Sequence, residues 1–516
     1  MTKKVEVDDP IDEATETFRN SISTQKSTTQ FTDKTPWLSI SIVAAMTTCT
    51  AAQYSVYFSS MWPYLQRLDP ETTEPFVGLC AAVYSLGQIV FAPVIGWWSN
   101  RIKNIRIPIV VAICLQMSGN FIYLFAQVFP PPYGKYAVAF SRFLCGMGSS
   151  NIGLLKTYAA TASRKEDRAR SIATCTGGLA MGLIVGPAIQ LLFTPIGEEG
   201  WRITSWFALN MYTTPPLAVC LVNITAMCTM AFLFKEVYAG LLDKTASDIP
   251  KLPPADKVGL WVCYIIRSVQ MFTFSSIETL SAPVAMTIFA LSRTDAVALV
   301  AIVHAAMSLL ELFMYVCFVG CKLDRYVNDR LVCLVGCVGI AFFYAASFPW
   351  PFLSQPMVRY NETMAAELKI MGKEPLGCNV DHLPWCEYTP QVNIYLYYIL
   401  FALIMTGGFC VINITMNTIF SSIIGPRRQG THQGFLQMMG SVGRLTGPLL
   451  VSNLYTYFGI RYAWGLEFGV CVFAALIWVF NYDHLIPIEE KMERQKVGAQ
   501  EDEKVMAESL GKSSIF

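Results

Sequence analysis

GWWSNRIKNIR (Gly96 to Arg106) ends a long apolar run with a small residue, two tryptophans and a cluster of cations, and GCKLDRYVNDR (Gly320 to Arg330) repeats that outline. Lysine and arginine gather where a chain leaves a membrane on the side that retains positive charge. Both segments follow the second apolar stretch of a set of six. A second pair supports a duplicated chain: GGLAMGLIVGP (Gly177 to Pro187) and GSVGRLTGP (Gly440 to Pro448) each lie in the fifth stretch of their set. The offset between the halves grows between these two pairs, and the long loop 349–391 accounts for it.

Composition fits that reading. The 516 residues are 53% apolar and 15% charged, with a net charge of +1. A soluble protein of this length carries more charge. Apolar stretches of ~18 residues or more recur along the chain, each long enough to cross ~30 Å of hydrocarbon at 1.5 Å per residue. They predict an all-α polytopic protein in the lipid bilayer, with twelve transmembrane helices in two six-helix bundles. The first six run Pro36–Tyr64, Phe76–Trp98, Ile107–Val128, Tyr136–Ala159, Ile172–Phe193 and Tyr212–Phe234. The second six run Val258–Leu291, Ala296–Gly320, Leu331–Phe348, Val392–Ile424, Gly434–Tyr457 and Trp464–Tyr482. The expected organisation is a flexible polar tail (1–35), an N-terminal bundle (36–234), a linker (235–257), a C-terminal bundle (258–482) and a charged tail (483–516).

Near-neutral charge and the lack of any recognisable RNA or DNA motif argue against nucleic acid as a partner. Most of the sixteen cysteines lie in apolar runs, where cysteine acts as a small hydrophobe. Cys317/Cys321 and Cys333/Cys337 have helical spacing, but no cluster of histidine or carboxylate completes a metal site. No zinc-protease helix motif, phosphate-binding glycine loop or nucleophile elbow is visible. The expectation is a protein that is not an enzyme and carries no metal and no cofactor.

Arg101/Lys103/Arg106, Arg164/Lys165/Arg168/Arg170, Lys322/Arg325/Arg330 and Arg427/Arg428 fall in alternate loops, which predicts that those loops and both termini are cytosolic. The loop 349–391 then lies on the lumenal or extracellular side. It holds the sequon Asn361-Glu-Thr and the only cysteine pair well outside the membrane, Cys378 and Cys386, in a compartment that permits a disulfide. Asn223-Ile-Thr and Asn413-Ile-Thr also fit the sequon but sit inside apolar runs.

These segments resemble the major facilitator superfamily. Gly96, Asn100, Arg101 and Arg106 are similar to that superfamily's motif between the second and third helices, with Gly320, Asp324 and Arg325 as the second copy. Asn100 stands where an aspartate is usual, and its amide has no charge to relay, while Asp324 keeps the acid in the second copy. Arg142-Phe-Leu-Cys-Gly146-Met-Gly148 is similar to its fourth-helix motif, and Gly178, Gly182, Gly186 and Pro187 to its fifth-helix glycine motif. SMWPYLQRLDP, YSLGQ, GCNVDHLPWCEYTP and IIGPRRQG resemble a lysosomal branch, the one whose loss underlies a variant late-infantile neuronal ceroid lipofuscinosis. That resemblance implies a lysosomal or late endosomal membrane and movement of a solute or anion, with chloride the activity attributed to the branch.

Glycines four apart clear one helix face so that backbones approach closely. Gly178, Gly182 and Gly186, and likewise Gly447 beside Pro448, read as plain packing or as a seam on which the two halves rock. Gly96 and Arg101 are expected to latch the cytosolic side in one state, with Arg101 meeting a carboxylate. Charges inside spans are costly and usually face a partner or a watery cavity. Lys156, Arg267 and Glu467 lie close enough to span ends to snorkel. Arg142, Glu278, His304, Glu311 and Arg444 lie deeper. Glu278 and Glu311 could carry a proton, or could pair with Arg142 or Arg444 as packing ions. His304 fits a satisfied core residue equally well. Arg142 and Arg444 would suit a small anion, with Ser275, Ser276, Asn413, Thr415 and Asn417 adding neutral donors, and Pro283 is expected to break the seventh helix. The function expected from all this is alternating-access transport of a small, anionic solute, with protons as a coupling partner. A channel-like anion pathway and a non-transporting lumenal receptor are the alternatives.

Overall fold

The computed structural model describes residues 30–32, 34–57, 60–72, 74–131, 133–197, 199–204, 207–241, 253–323, 326, 328–353, 355–373 and 375–494. Twelve rods form two bundles. The first bundle holds Trp37–Ser55, Glu74–Ile102, Arg106–Leu124, a fourth span broken at Ser150 into Tyr133–Ser149 and Asn151–Ala162, Arg168–Phe193, and Thr214–Cys228. The second holds Lys257–Thr287, Arg293–Gly320, Asp329–Ala346, a tenth span made of Ile394–Leu400 and Thr406–Ile424 around one wide turn at Phe401–Met405, Gly430–Phe458, and Ile460–Phe480. Four spans of the second bundle start on a side-chain cap, Asp256, Ser292, Asn328 and Asn393, each accepting backbone N–H groups of the first turn. Pro187, Pro283 and Pro448 lie inside continuous helices, so Pro283 does not break the seventh span as the sequence suggested.

The glycine motifs close joints within each bundle. A Cβ on Gly178, Gly182 or Gly186 would lie 2.4–2.6 Å from the carbonyl oxygens of Ala44, Thr48 and Ala52, so the fifth span lies directly on the first. Gly443 and Gly447 do the same for the eleventh span on the seventh, against the Ser268 and Phe272 carbonyls. The repeat seen in the sequence is thus a repeated helix joint. It belongs to each bundle's interior, and the reading of this stripe as a seam between the halves is set aside.

Two ends can be told apart. At one, here the tail end, Thr35 donates to Asp167, Ser39 donates to the Lys235 carbonyl, and Gln30–Phe31 pairs in parallel with Val237–Tyr238. Residues after the twelfth span fold back here as well: Leu485 and Ile488 are buried, and Lys491 reaches Asp256. At the other, the loop end, a hairpin (Trp201–Thr204 with Phe207–Leu209) joins the fifth and sixth spans. Loop 349–391 carries a short helix, Glu362–Ile370, and the disulfide Cys378–Cys386. Trp385 anchors this loop: its ring sits where a Cβ of Gly459 would be, and Gly459 has φ +95°, a turn open to glycine between the last two spans.

Candidate functional site: a charged cavity between the bundles

The bundles meet at the tail end along two edges. On the first, Asn100 Nδ2 donates to Thr431 Oγ1 (2.8 Å) and its Oδ1 accepts from the Gly430 N–H (3.0 Å). Gly96 and Gly430 allow that approach, because a Cβ on Gly96 would lie 2.3 Å from the Gly430 carbonyl oxygen. Gly434 sits equally close to the Ala92 carbonyl, and Gln88 ties Ser149 to Ser441 (both 2.8 Å). The latch is therefore amide to hydroxyl and backbone. Arg101 is exposed and stacks over Trp97, and among the described residues it does not meet the expected carboxylate. On the second edge, Gly177 faces the Tyr315 ring, and Arg168 reaches Ser422 (3.3 Å). Among the described residues nothing lies within 4 Å of a Cβ on Gly320, and Asp324 and Arg325 are outside the described residues.

Above this closure lies a cavity of about 450 Å³ facing the loop end. Its lining includes Lys156, Arg267, Glu278, His304, Glu311, Asn413 and Arg444, drawn from both bundles. Lys156 and Arg267 are 4% and 6% exposed and do not snorkel, which corrects the sequence reading of both. Arg267 donates to Gln270 (2.8 Å) and Asn413 (3.2 Å). Asn413 donates to the Tyr315 hydroxyl (3.1 Å), which donates to Glu311 (3.2 Å). A cation and a carboxyl are thus joined through two neutral groups. Arg444 lies over Tyr54 and contacts the Met271 sulfur (3.5 Å), and Glu278 feels its charge. Among the described residues, none of these cations or carboxyls forms an ion pair within 4 Å. His304 meets Phe401 edge-on.

Other expected residues lie elsewhere. Arg142 is buried outside the cavity, its guanidinium 4.0 Å from the Tyr57 ring centre and flanked by Tyr84 and Tyr123. It packs as a caged cation rather than lining the path. Asn417 braces Asn413 (3.1 Å) from below. Ser276 and Thr415 spend their hydroxyls on carbonyls of their own helices, and Ser275 divides its hydroxyl between the Met271 carbonyl of its own helix (2.9 Å) and the Arg444 carbonyl of the eleventh span (3.4 Å). Glu467 is fully buried behind the seventh span, not at a water-facing end. Sequence reasoning missed Gln88, Tyr54 and Tyr84 as lining groups; Tyr84 and Gln88 are the ends of the YSLGQ stretch, and that stretch was their only signal. Asn361 caps the short loop helix through Oδ1, while Asn223 and Asn413 are buried.

The sequence model described as Major Facilitator Superfamily matches residues 43–366 and 385–514. A Xenopus laevis protein, major facilitator superfamily domain-containing protein 8, is 30% identical over 95% of this chain and 99% of its own. The human synaptic vesicular amine transporter is 32% identical over 24% of this chain and 23% of its own. Among solved structures, the human organic anion transporter MFSD10 (TETRAN) superposes with a TM-score of 0.57 at 12% identity, covering 85% of this chain and 98% of its own. FucP in its outward conformation gives 0.60 at 10% identity over 86% and 98%. This chain belongs to the major facilitator superfamily and is a multi-pass membrane transporter.

Proposed function

We propose that the protein carries a small anion across a lysosomal or late endosomal membrane by alternating access, with protons bound at Glu278 and Glu311 as a coupling ion. The observation that carries the reading is the meeting of Lys156, Arg267 and Arg444 in one cavity drawn from both bundles. Three cations against two carboxyls, in a site where exposed charge is costly, favour an anionic cargo. Chloride is the candidate that the branch resemblance supplies. The address rests on that resemblance and on the full-length similarity to domain-containing protein 8. In this reading the tail end is cytosolic and Asn361 carries a lumenal glycan.

A carrier fits the shut tail end better than a channel, because a channel needs water from one end to the other. Anion uptake into proteoliposomes tests the proposal. Lys156→Gln and Arg444→Gln should each lower uptake by about tenfold or more, the effect of removing one charge-assisted contact. Uptake unchanged in both variants would remove the anion. If Glu278→Gln and Glu311→Gln leave the response to an imposed pH gradient intact, proton coupling falls. Counterflow without large voltage-driven current separates carrier from channel, and a tagged chain seen only at the cell surface would overturn the address.

A further inference from the structure

The cavity lining combines charged and apolar side chains. Lys156, Arg267 and Arg444 line it, and none of them meets a carboxylate within 4 Å among the described residues. Arg267 rests on amides, Arg444 on a sulfur and a ring. Lys156, 4% exposed, shows no hydrogen-bond partner among the described residues and shares the cavity with Arg267 and Arg444. The lining also has an apolar share, Leu179, Leu183 and Ile184 of the fifth span and Ala301, Ala305 and Leu309 of the eighth, the eighth carrying His304, Ser308 and Glu311 among them. A volume of about 450 Å³ is in the range that encloses a drug-sized organic molecule and is far more than a single halide fills.

We propose that the cavity is shaped for an amphipathic organic anion, an apolar body bearing a multiply charged head such as a phosphate monoester. This rests on the anionic reading above and narrows it. The head neutralises Lys156 and Arg444 beside Arg267, while the body covers the apolar side chains. Glu278, Glu311 and His304 share the cavity, so the head meets these three titratable groups as well as the cations. A bare inorganic anion satisfies the cations and leaves the apolar side chains wet. A neutral aromatic does the reverse.

Calorimetric titration of the full chain in lipid nanodiscs with 1-naphthyl phosphate, inorganic phosphate, 1-naphthoate and 1-naphthol tests this. The phosphate ester should bind at least about tenfold more tightly than each of the others. Lys156→Gln should weaken it about 10- to 100-fold, while Lys156→Arg, which keeps the charge, retains most of the affinity. Leu183→Ser or Leu309→Asn should weaken the ester about tenfold and leave inorganic phosphate unchanged. Thermal midpoints identify any variant that fails to fold, and two apolar variants on different spans keep the test open. Equal binding of inorganic phosphate and the ester overturns the proposal, as does equal binding of 1-naphthol. If chloride uptake depends on Lys156 while the ester neither binds nor competes, this inference fails and the broader anionic reading stands. If no anion responds to Lys156→Gln or Arg444→Gln, both fall.

Discussion

Lys156 and Arg267 show how depth is misjudged from a sequence. Arg267 is ten residues into its helix, ~15 Å or half the hydrocarbon thickness, too far for its side chain to reach water at the end. Lys156 is nearer an end, but that end is covered: the Tyr158 hydroxyl donates to Lys235 and Val237 carbonyls, and the Ala239 and Gly240 N–H groups bond to Ala162 and Thr161. With the way out capped by the segment after the sixth span, the ammonium turns inward. A single sequence shows neither that cover nor which face of a span looks at the other bundle. The types of the charged residues were legible, and their company was not. Asp256 gives a residue-level prediction outside the membrane. Burial pushes its carboxyl up, but hydrogen bonds from His484 and Lys491 outweigh that and hold it at about 2, below the ordinary 3.8. A depressed carboxyl stabilises above its ordinary value and loses that contribution as pH falls toward 2. Asp256→Asn keeps a cap but loses the charge, so it should lower stability by about 0.5–1 kcal/mol at pH 5–7. The gap from wild type should close below about pH 4 in a detergent melting series.

The glycine stripes were legible as close helix contacts, and the structure says which contacts. Each internal stripe fixes a joint inside one bundle, whereas Gly96, Gly430 and Gly434 fix the joint between bundles at the tail end. The two classes should respond differently to added bulk. Gly182→Val forces a branched side chain against a carbonyl that a bare Cβ would already meet at 2.4 Å, and should cost about 3 kcal/mol of overall stability, read as a lower melting point. Gly434→Ala meets the Ala92 carbonyl at the same distance, but only while the tail end is shut. It should disfavour that conformation by about 1–3 kcal/mol, with a smaller change in melting point, and raise the accessibility of residues near Asn100 to labelling from the tail side. The broken fourth span and the wide turn in the tenth left no mark in the hydrophobic pattern, because a one-residue change in helical pitch leaves an apolar run apolar.

The fold as a whole was the most legible part. Twelve apolar runs, two copies of a basic loop and two copies of a glycine stripe leave few other ways to arrange the chain. The conformation was not legible, because a transporter's sequence encodes more than one state, and which contacts hold in one of them depends on small differences in free energy. The Asn100–Thr431 contact makes this testable. Replacing both by cysteine should allow oxidation to lock the tail end, stopping transport, and reduction should restore it. Transport that continues after complete oxidation would show that opening at this edge is not part of the cycle.

The seating of Trp385 against Gly459 has a further consequence. It makes the large outer loop a rigid limb of the second bundle, so the limb swings whenever that bundle tilts. Anything that grasped it, such as an antibody raised against the loop, should act as a brake on turnover without ever entering the cavity.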